Sequence, residues 1–138
     1  MISQSCTETT FPVRYAETDA MGIVYHSHYI VWFEVGRGDY MRQRGWEYAE
    51  LEAQGYYLPV SELDARFLAP ARYGDLVTVK TWLEELRSRK ITFAYEVVKD
   101  STGEVLAVGH TKHICTDKAG HVRTIPKEVR EILRAEVS

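Results

Sequence analysis

Three stretches in the second half of the chain alternate apolar and polar residues with a period of two. Leu76 to Leu83 sets Val77, Val79, Thr81 and Leu83 on one side, Ile91 to Val97 sets Ile91, Phe93, Tyr95 and Val97 on one side, and Val105 to Cys115 continues the series. That period belongs to strands with one buried face, because successive side chains of a strand point to opposite sides of the sheet. Asp100-Ser101-Thr102-Gly103 and Asp117-Lys118-Ala119-Gly120 sit where the chain must reverse, each ending in a glycine suited to a positive φ. Antiparallel hairpins follow, and their apolar face needs a second layer.

The first half supplies that layer. From Ser27 to about Arg44, Ile30, Val31, Phe33, Tyr40 and Met41 fall at three- and four-residue spacings, with Ser27 as the expected N-cap and Gly45 closing the helix. Gly36 and Gly38 inside it each cost roughly 0.5–1 kcal/mol relative to Ala, which predicts a close contact along that face or a kink. Thr9 to Tyr15 reads as a short strand with Phe11, Val13 and Tyr15 on one side, despite Pro12. Trp46 to Gln54 reads as a second short helix, Leu58 to Phe67 as a strand with Leu63, Ala65 and Phe67 in phase, and Lys127 to Glu136 as a terminal helix. No repeat or linker divides residues 1–138, so the expectation is one α+β domain: a curved antiparallel sheet of about five strands around one long helix.

Charge and composition narrow the function. Seventeen Lys and Arg stand against twenty Asp and Glu, for a net charge of −3, which leaves no basic excess to hold a nucleic-acid backbone. The longest uncharged apolar run, Tyr29 to Phe33, falls far short of the ~18 residues that span a bilayer, and the polar start Met1 to Ser5 has no secretory h-region. A cytoplasmic location is the reading, with Cys6 and Cys115 as thiols.

The segment from Tyr15 to Tyr29 looks chosen for chemistry. It sets Asp19, Gly22, Tyr25 and His26 just ahead of a helix N-terminus, where unpaired N–H groups and the helix dipole favour developing negative charge. A carbonyl docked there would be polarised, with Asp19 within reach of its carbon or of a water beside it. That is an acyl-transfer arrangement.

The run D-x-x-G-x-V-Y-H-x-x-Y from Asp19 to Tyr29, followed by Trp32-Phe33-Glu34, resembles the hotdog-fold acyl-CoA thioesterases of the 4-hydroxybenzoyl-CoA thioesterase type, including the Tol–Pal-associated branch. Phe67-Leu-Ala-Pro-Ala-Arg-Tyr-Gly-Asp75 is similar to the strand and turn that follow in that family, and the likeness spans roughly Phe11 to Thr116. The resemblance implies a hotdog fold and hydrolysis of an acyl-CoA to a carboxylic acid and CoA, without metal or cofactor. It implies that Asp19 is the catalytic carboxylate, as nucleophile or general base, that the His26 N–H is the oxyanion donor, and that the His26 and Tyr15 side chains assist. Met21, Gly36 and Gly38 depart from the family's pattern and bear on the size of the acyl pocket.

Each role has a plainer competitor. Asp19 fits an Asx turn, Tyr15 and Tyr25 fit core aromatics, and His28 fits a helix-start residue. Glu34 is a rival carboxylate, since another hotdog subfamily takes its acid from the helix. His110 and His113 are three apart on a strand, point to opposite faces and cannot share a metal. Arg87, Arg89 and Lys90 form the one compact basic cluster and, with Tyr25, are the expected substrate-binding residues, the cations meeting CoA phosphates. A homo-oligomer, dimer or tetramer, with its active site between subunits is the expected assembly. The alternative is a non-catalytic acyl-CoA-binding module of the same fold.

Overall fold

The computed structural model describes residues 6–137; the polar start Met1 to Ser5, read above for the absence of a leader, lies outside the described residues. The elements run β1 (Thr7–Pro12), a 3-10 turn (Tyr15–Glu17), α1 (His26–Gln43), α2 (Tyr48–Ala53), β2 (Val60–Phe67), β3 (Leu76–Leu86), β4 (Lys90–Lys99), β5 (Val105–Ile114) and α3 (Lys127–Arg134). All pairings are antiparallel and the spatial order is β1-β3-β4-β5-β2. β3, β4 and β5 form the expected meander, while β1 and β2 close the two edges. No helix among the described residues is long and apolar enough to cross a membrane.

The alternating residues read from the sequence are the concave face. Val77, Val79, Thr81 and Leu83 are fully buried, as are Ile91, Phe93, Tyr95 and Val97, and α1 lies against them through Trp32, Phe33, Gly36, Tyr40 and Met41. Phe33 stacks on Tyr95 with ring centroids 4.5 Å apart and planes within 7°. His110 and His113 fall on opposite faces: His113 is fully buried beneath the helix, and His110 bonds Asp64 on the outer side. Gly103 and Gly120 have φ of 75° and 92°, the left-handed geometry their turns require.

The two helix glycines separate. A Cβ on Gly36 would meet Thr81 Oγ1 at 2.5 Å and Val79 Cγ1 at 2.8 Å, whereas one on Gly38 would meet only the tip of Arg42 at 3.4 Å. Gly36 alone is the close contact, and it lets the α1 backbone settle directly onto β3.

Two local expectations change. β1 ends at Pro12, and Tyr15, expected to share a face with Phe11 and Val13, is 75% exposed. The reason is Glu17, which is buried at 3% exposure. Its carboxylate accepts from the Arg14 N–H at 2.8 Å and from Trp32 Nε1 at 2.8 Å, with the Arg14 guanidinium 3.5 Å away, and this pull curls residues 15–17 into a 3-10 turn. The N-cap of α1 is Tyr25 rather than Ser27, and no side chain caps it. Tyr25 N–H is spent on Glu17 O and Tyr25 O accepts from His28 N, so helical geometry starts two residues early.

Gly36→Ala is expected to destabilise by ~1–3 kcal/mol through overpacking against β3, while Gly38→Ala stabilises by ~0.5–1 kcal/mol; urea unfolding of both variants separates them. Burial raises the Glu17 pKa, but the Arg14 N–H, the Trp32 indole and the Arg14 guanidinium outweigh it, so the net position is below the ordinary 4.5. A carboxyl depressed in the folded state contributes stability that is present above its unfolded value and is lost as pH falls through the folded one. The protein should therefore lose stability steeply below pH 4.5, with Trp32 emission reporting the loss; Glu17→Gln should be less stable at neutral pH and show a flatter acid limb.

Candidate active site

The loop between the 3-10 turn and α1 is closed by its own backbone. Thr18 and Val24 form an antiparallel bridge, Asp19 N–H bonds Ile23 O at 2.9 Å, and Gly22 N–H bonds Asp19 O at 2.9 Å. Gly22 has a φ of 77°, so the turn depends on its lack of a side chain. Asp19 Oδ1 accepts from the Met21 N–H at 2.8 Å, an Asx turn that fixes the carboxylate, and Oδ2 has no protein partner among the described residues. The plain reading of Asp19 is thus realised by one oxygen and leaves the other available.

Residues 67–73 form the opposite wall. Val24 N–H bonds Ala71 O at 2.9 Å, Ile23 bridges Arg72, and Tyr29 Oη accepts from the Ala71 N–H at 3.2 Å. Tyr25 and His26 rings lie 4.2 Å apart, with Phe67 6.1 Å beyond His26 and 5.4 Å from Tyr29. Tyr15 packs edge-on against Tyr73 at 5.7 Å. The sequence motif singled out Tyr15, Asp19, Tyr25 and His26; the structure places Asp19 on the loop that leads into α1 and pairs the Tyr25 and His26 rings at its start, while Tyr15 is exposed against Tyr73.

That entrance is uncapped. Among the described residues, the backbone N–H groups of His26 and Ser27 have no protein acceptor, and both stand at the positive end of an 18-residue helix. Free donors of this kind can polarise a carbonyl, and a carboxylate with one free oxygen on the loop that leads into them is the type of group that attacks such a carbonyl, directly or through water. His28 is partly buried one turn in, and its N–H bonds Tyr25 O.

The other candidates lie elsewhere. Arg87, Arg89 and Lys90 are exposed at the β3–β4 turn, where they share a pocket with Glu62 and Lys112. β3 separates them from the Asp19 loop: Ala71 and Asp75 at its start contact that loop and β1, and its 11 residues extend roughly 36 Å at ~3.3 Å each. Within one chain the basic cluster and Asp19 occupy opposite ends of the sheet. Glu34 is exposed in a groove along α1, away from the entrance. Sequence reasoning passed over Glu17 and the polar chain under α1 described below, because neither leaves a periodic or motif signal.

The profile of the thioesterase-like superfamily matches residues 13–133. The provisionally named acyl-CoA thioesterase YneP of Bacillus subtilis is 40% identical over 106 residues, covering 77% of this chain and 76% of its own. Among solved structures, the hypothetical protein TT1821 of Thermus thermophilus superposes with a TM-score of 0.90 at 41% identity, covering 96% of this chain and 98% of that one. A DHNA-CoA thioesterase of Staphylococcus aureus gives 0.89 at 33% identity, covering 94% and 89%. A curved five-stranded sheet around one helix and these relatives converge: the chain belongs to the thioesterase-like superfamily and is a hotdog-fold thioesterase.

Proposed function

We propose that the chain hydrolyses an acyl-CoA thioester to a free carboxylic acid and CoA at the entrance of α1. The observation that carries this reading is that one short loop, closed by the Thr18–Val24 bridge, leads from a carboxylate whose second oxygen is unengaged into a helix whose first N–H groups, at His26 and Ser27, are free. The thioester oxygen accepts from the His26 N–H. Asp19 then either attacks the carbonyl carbon, expelling CoA thiolate and leaving a mixed anhydride that water opens, or takes a proton from the water that attacks. Thiolate leaves readily, so the reaction needs an aimed attack and a polarised carbonyl more than a strong acid, and neither a metal nor a cofactor. His26 and Tyr15 side chains assist the carboxylate, and Tyr25 lines the approach.

A second copy completes the site. β2 is an edge strand with Val60, Leu63 and Phe67 47%, 42% and 48% exposed, an edge that soluble proteins seldom leave open. Antiparallel pairing of two β2 strands about a two-fold axis sets the Val60 end of one against the Phe67 end of the other. Since Val60 opposes His113, and Lys90 opposes Ile114, the partner's basic cluster is carried toward the Asp19 loop. Arg87, Arg89 and Lys90 then meet the CoA phosphates across the interface.

Asp19→Asn is expected to lower kcat by about 10²–10⁴-fold while acyl-CoA binding stays measurable; thiol release followed spectrophotometrically over a panel of acyl-CoAs checks it, and a fully active variant would sink the mechanism. Size-exclusion with activity measured across the peak tests the assembly. Turnover should track the dimer or larger species, and a competent monomer would overturn it.

A further inference from the structure

A groove of about 890 Å³ runs along the outer face of α1, between α2 and the 116–120 turn. Its wall on α1 is Val31, Glu34, Val35, Gly38 and Arg42, a stripe at helical spacing, and Tyr57, Leu58 and Pro59 face it. Arg37, also lining it, sits about 16 Å beyond His26 at 1.5 Å per residue. The guanidinium is partly buried and makes a single hydrogen bond, from Nη1 to Tyr95 Oη at 3.3 Å. Among the described residues no carboxylate lies within ion-pair distance of it. Tyr48 Oη, beside it, is buried with no hydrogen-bond partner.

The other cations of the groove are differently placed. Arg42 lies 3.9 Å from Asp39 and 4.0 Å from Glu47, and Lys118 is exposed. Of the acids, Asp117 is engaged by His121, while Glu34 and Glu52 are exposed at the rim. Partial burial opposes the Arg37 charge, but the Tyr95 and Tyr48 hydroxyls and the Glu34 charge outweigh it and keep the cation favoured, while a guanidinium with five N–H groups retains donors on the groove that an anionic group can take up.

Arg37 is also held in place. Tyr95 Oη and Thr111 Oγ1 are 2.6 Å apart, Thr111 Oγ1 and His113 Nε2 2.8 Å, and His113 Nδ1 and Leu58 O 2.9 Å. The carbonyl can only accept, so His113 Nδ1 donates and Nε2 accepts from Thr111. Donation therefore runs one way, from Arg37 through Tyr95, Thr111 and His113 to Leu58, with His113 neutral; burial first, and the Arg37 charge second, hold its pKa down at about 4. The chain ties one wall of the groove to the other and holds Arg37 next to Tyr48, whose buried hydroxyl lies close to the guanidinium without a well-formed hydrogen bond.

We infer that this groove binds an organic acid, a largely apolar small molecule whose carboxylate or phenolate is received by Arg37 and Tyr48. The acid is either the far end of the acyl group, which rests on the hydrolase reading above, or a free acid such as the product. Matched thioesters long enough to cover the distance from His26 to Arg37 separate these sources: myristoyl-CoA against tetradecanedioyl-CoA, which carries a terminal carboxylate, and free octanoate binding measured by calorimetry on the full chain.

If the acyl end is the occupant, kcat/KM for tetradecanedioyl-CoA exceeds that for myristoyl-CoA by about tenfold or more, as a charged hydrogen bond would supply. Arg37→Met abolishes that ratio and Arg37→Lys restores part of it; a variant that merely folds poorly lowers both rates together and leaves the ratio alone. If a free acid is the occupant, octanoate binds the wild type and binds Arg37→Met about tenfold more weakly, with no thioester preference. This second arm reads the groove even if no acyl-CoA is turned over. No Arg37-dependent ratio and no Arg37-dependent acid binding would overturn the inference.

Discussion

The Asp19 loop hangs from one buried carboxylate. Glu17 has almost no access to water, and its two oxygens are taken by the Arg14 N–H on one side and the Trp32 indole on the other. A carboxylate in that position holds only while its donors stay in line. It therefore fixes where β1 stops, how the chain curls afterwards, and how the loop approaches the helix, because Trp32 is itself locked into the core. The Glu17 carbonyl then receives the Tyr25 N–H, so this residue also sets where α1 begins.

From that anchor the site follows with few further requirements. The loop needs Gly22 for its reversal, an Asx turn to aim Asp19, and the Ala71 backbone to brace it. Helix α1 needs Gly36 so that it can lie close enough to β3 for Trp32 to reach Glu17. The donors at its start stay open because the residue at the cap is a tyrosine, whose hydroxyl is too remote to fold back onto the first turn.

The sheet was largely legible in the sequence, because burial of one face writes itself into a strand every second residue. Val77 to Leu83 and Ile91 to Val97 are buried as their spacing required. The turns at Gly103 and Gly120 were legible because positive φ restricts the residue. The start of α1 was not. Ser27 carries the preferred capping chemistry, yet a long-range bond from Tyr25 to Glu17 decides the position. For the same reason Tyr15 was misplaced: its alternation with Val13 is local, and the pull that ejects it comes from a tryptophan seventeen residues on. The motif around Asp19 drew attention to the residues that meet at the helix entrance, but the sequence had no means of showing that Arg87 to Lys90 lie a full strand away. The polar chain from Arg37 to Leu58 was equally invisible, since it joins four elements and loops through single residues.

The strand order has a consequence for how the molecule opens. β3, β4 and β5 are neighbours in sequence and in space, so their pairings close short loops, and β4 is bonded on both sides. β1 and β2 are bonded on one side only, and their ladders join residues about 40 to 74 positions apart, such as Phe67 with Ala107 and Thr7 with Thr81. Long loops of this kind close late and edges fray first. The Asp19 loop springs from the end of β1, and its brace at Ala71 springs from the end of β2. The Asp19 loop and its brace are thus mounted on the two edge strands of the sheet, around a middle that carries the helix, so a partial opening would separate them while the core stayed folded.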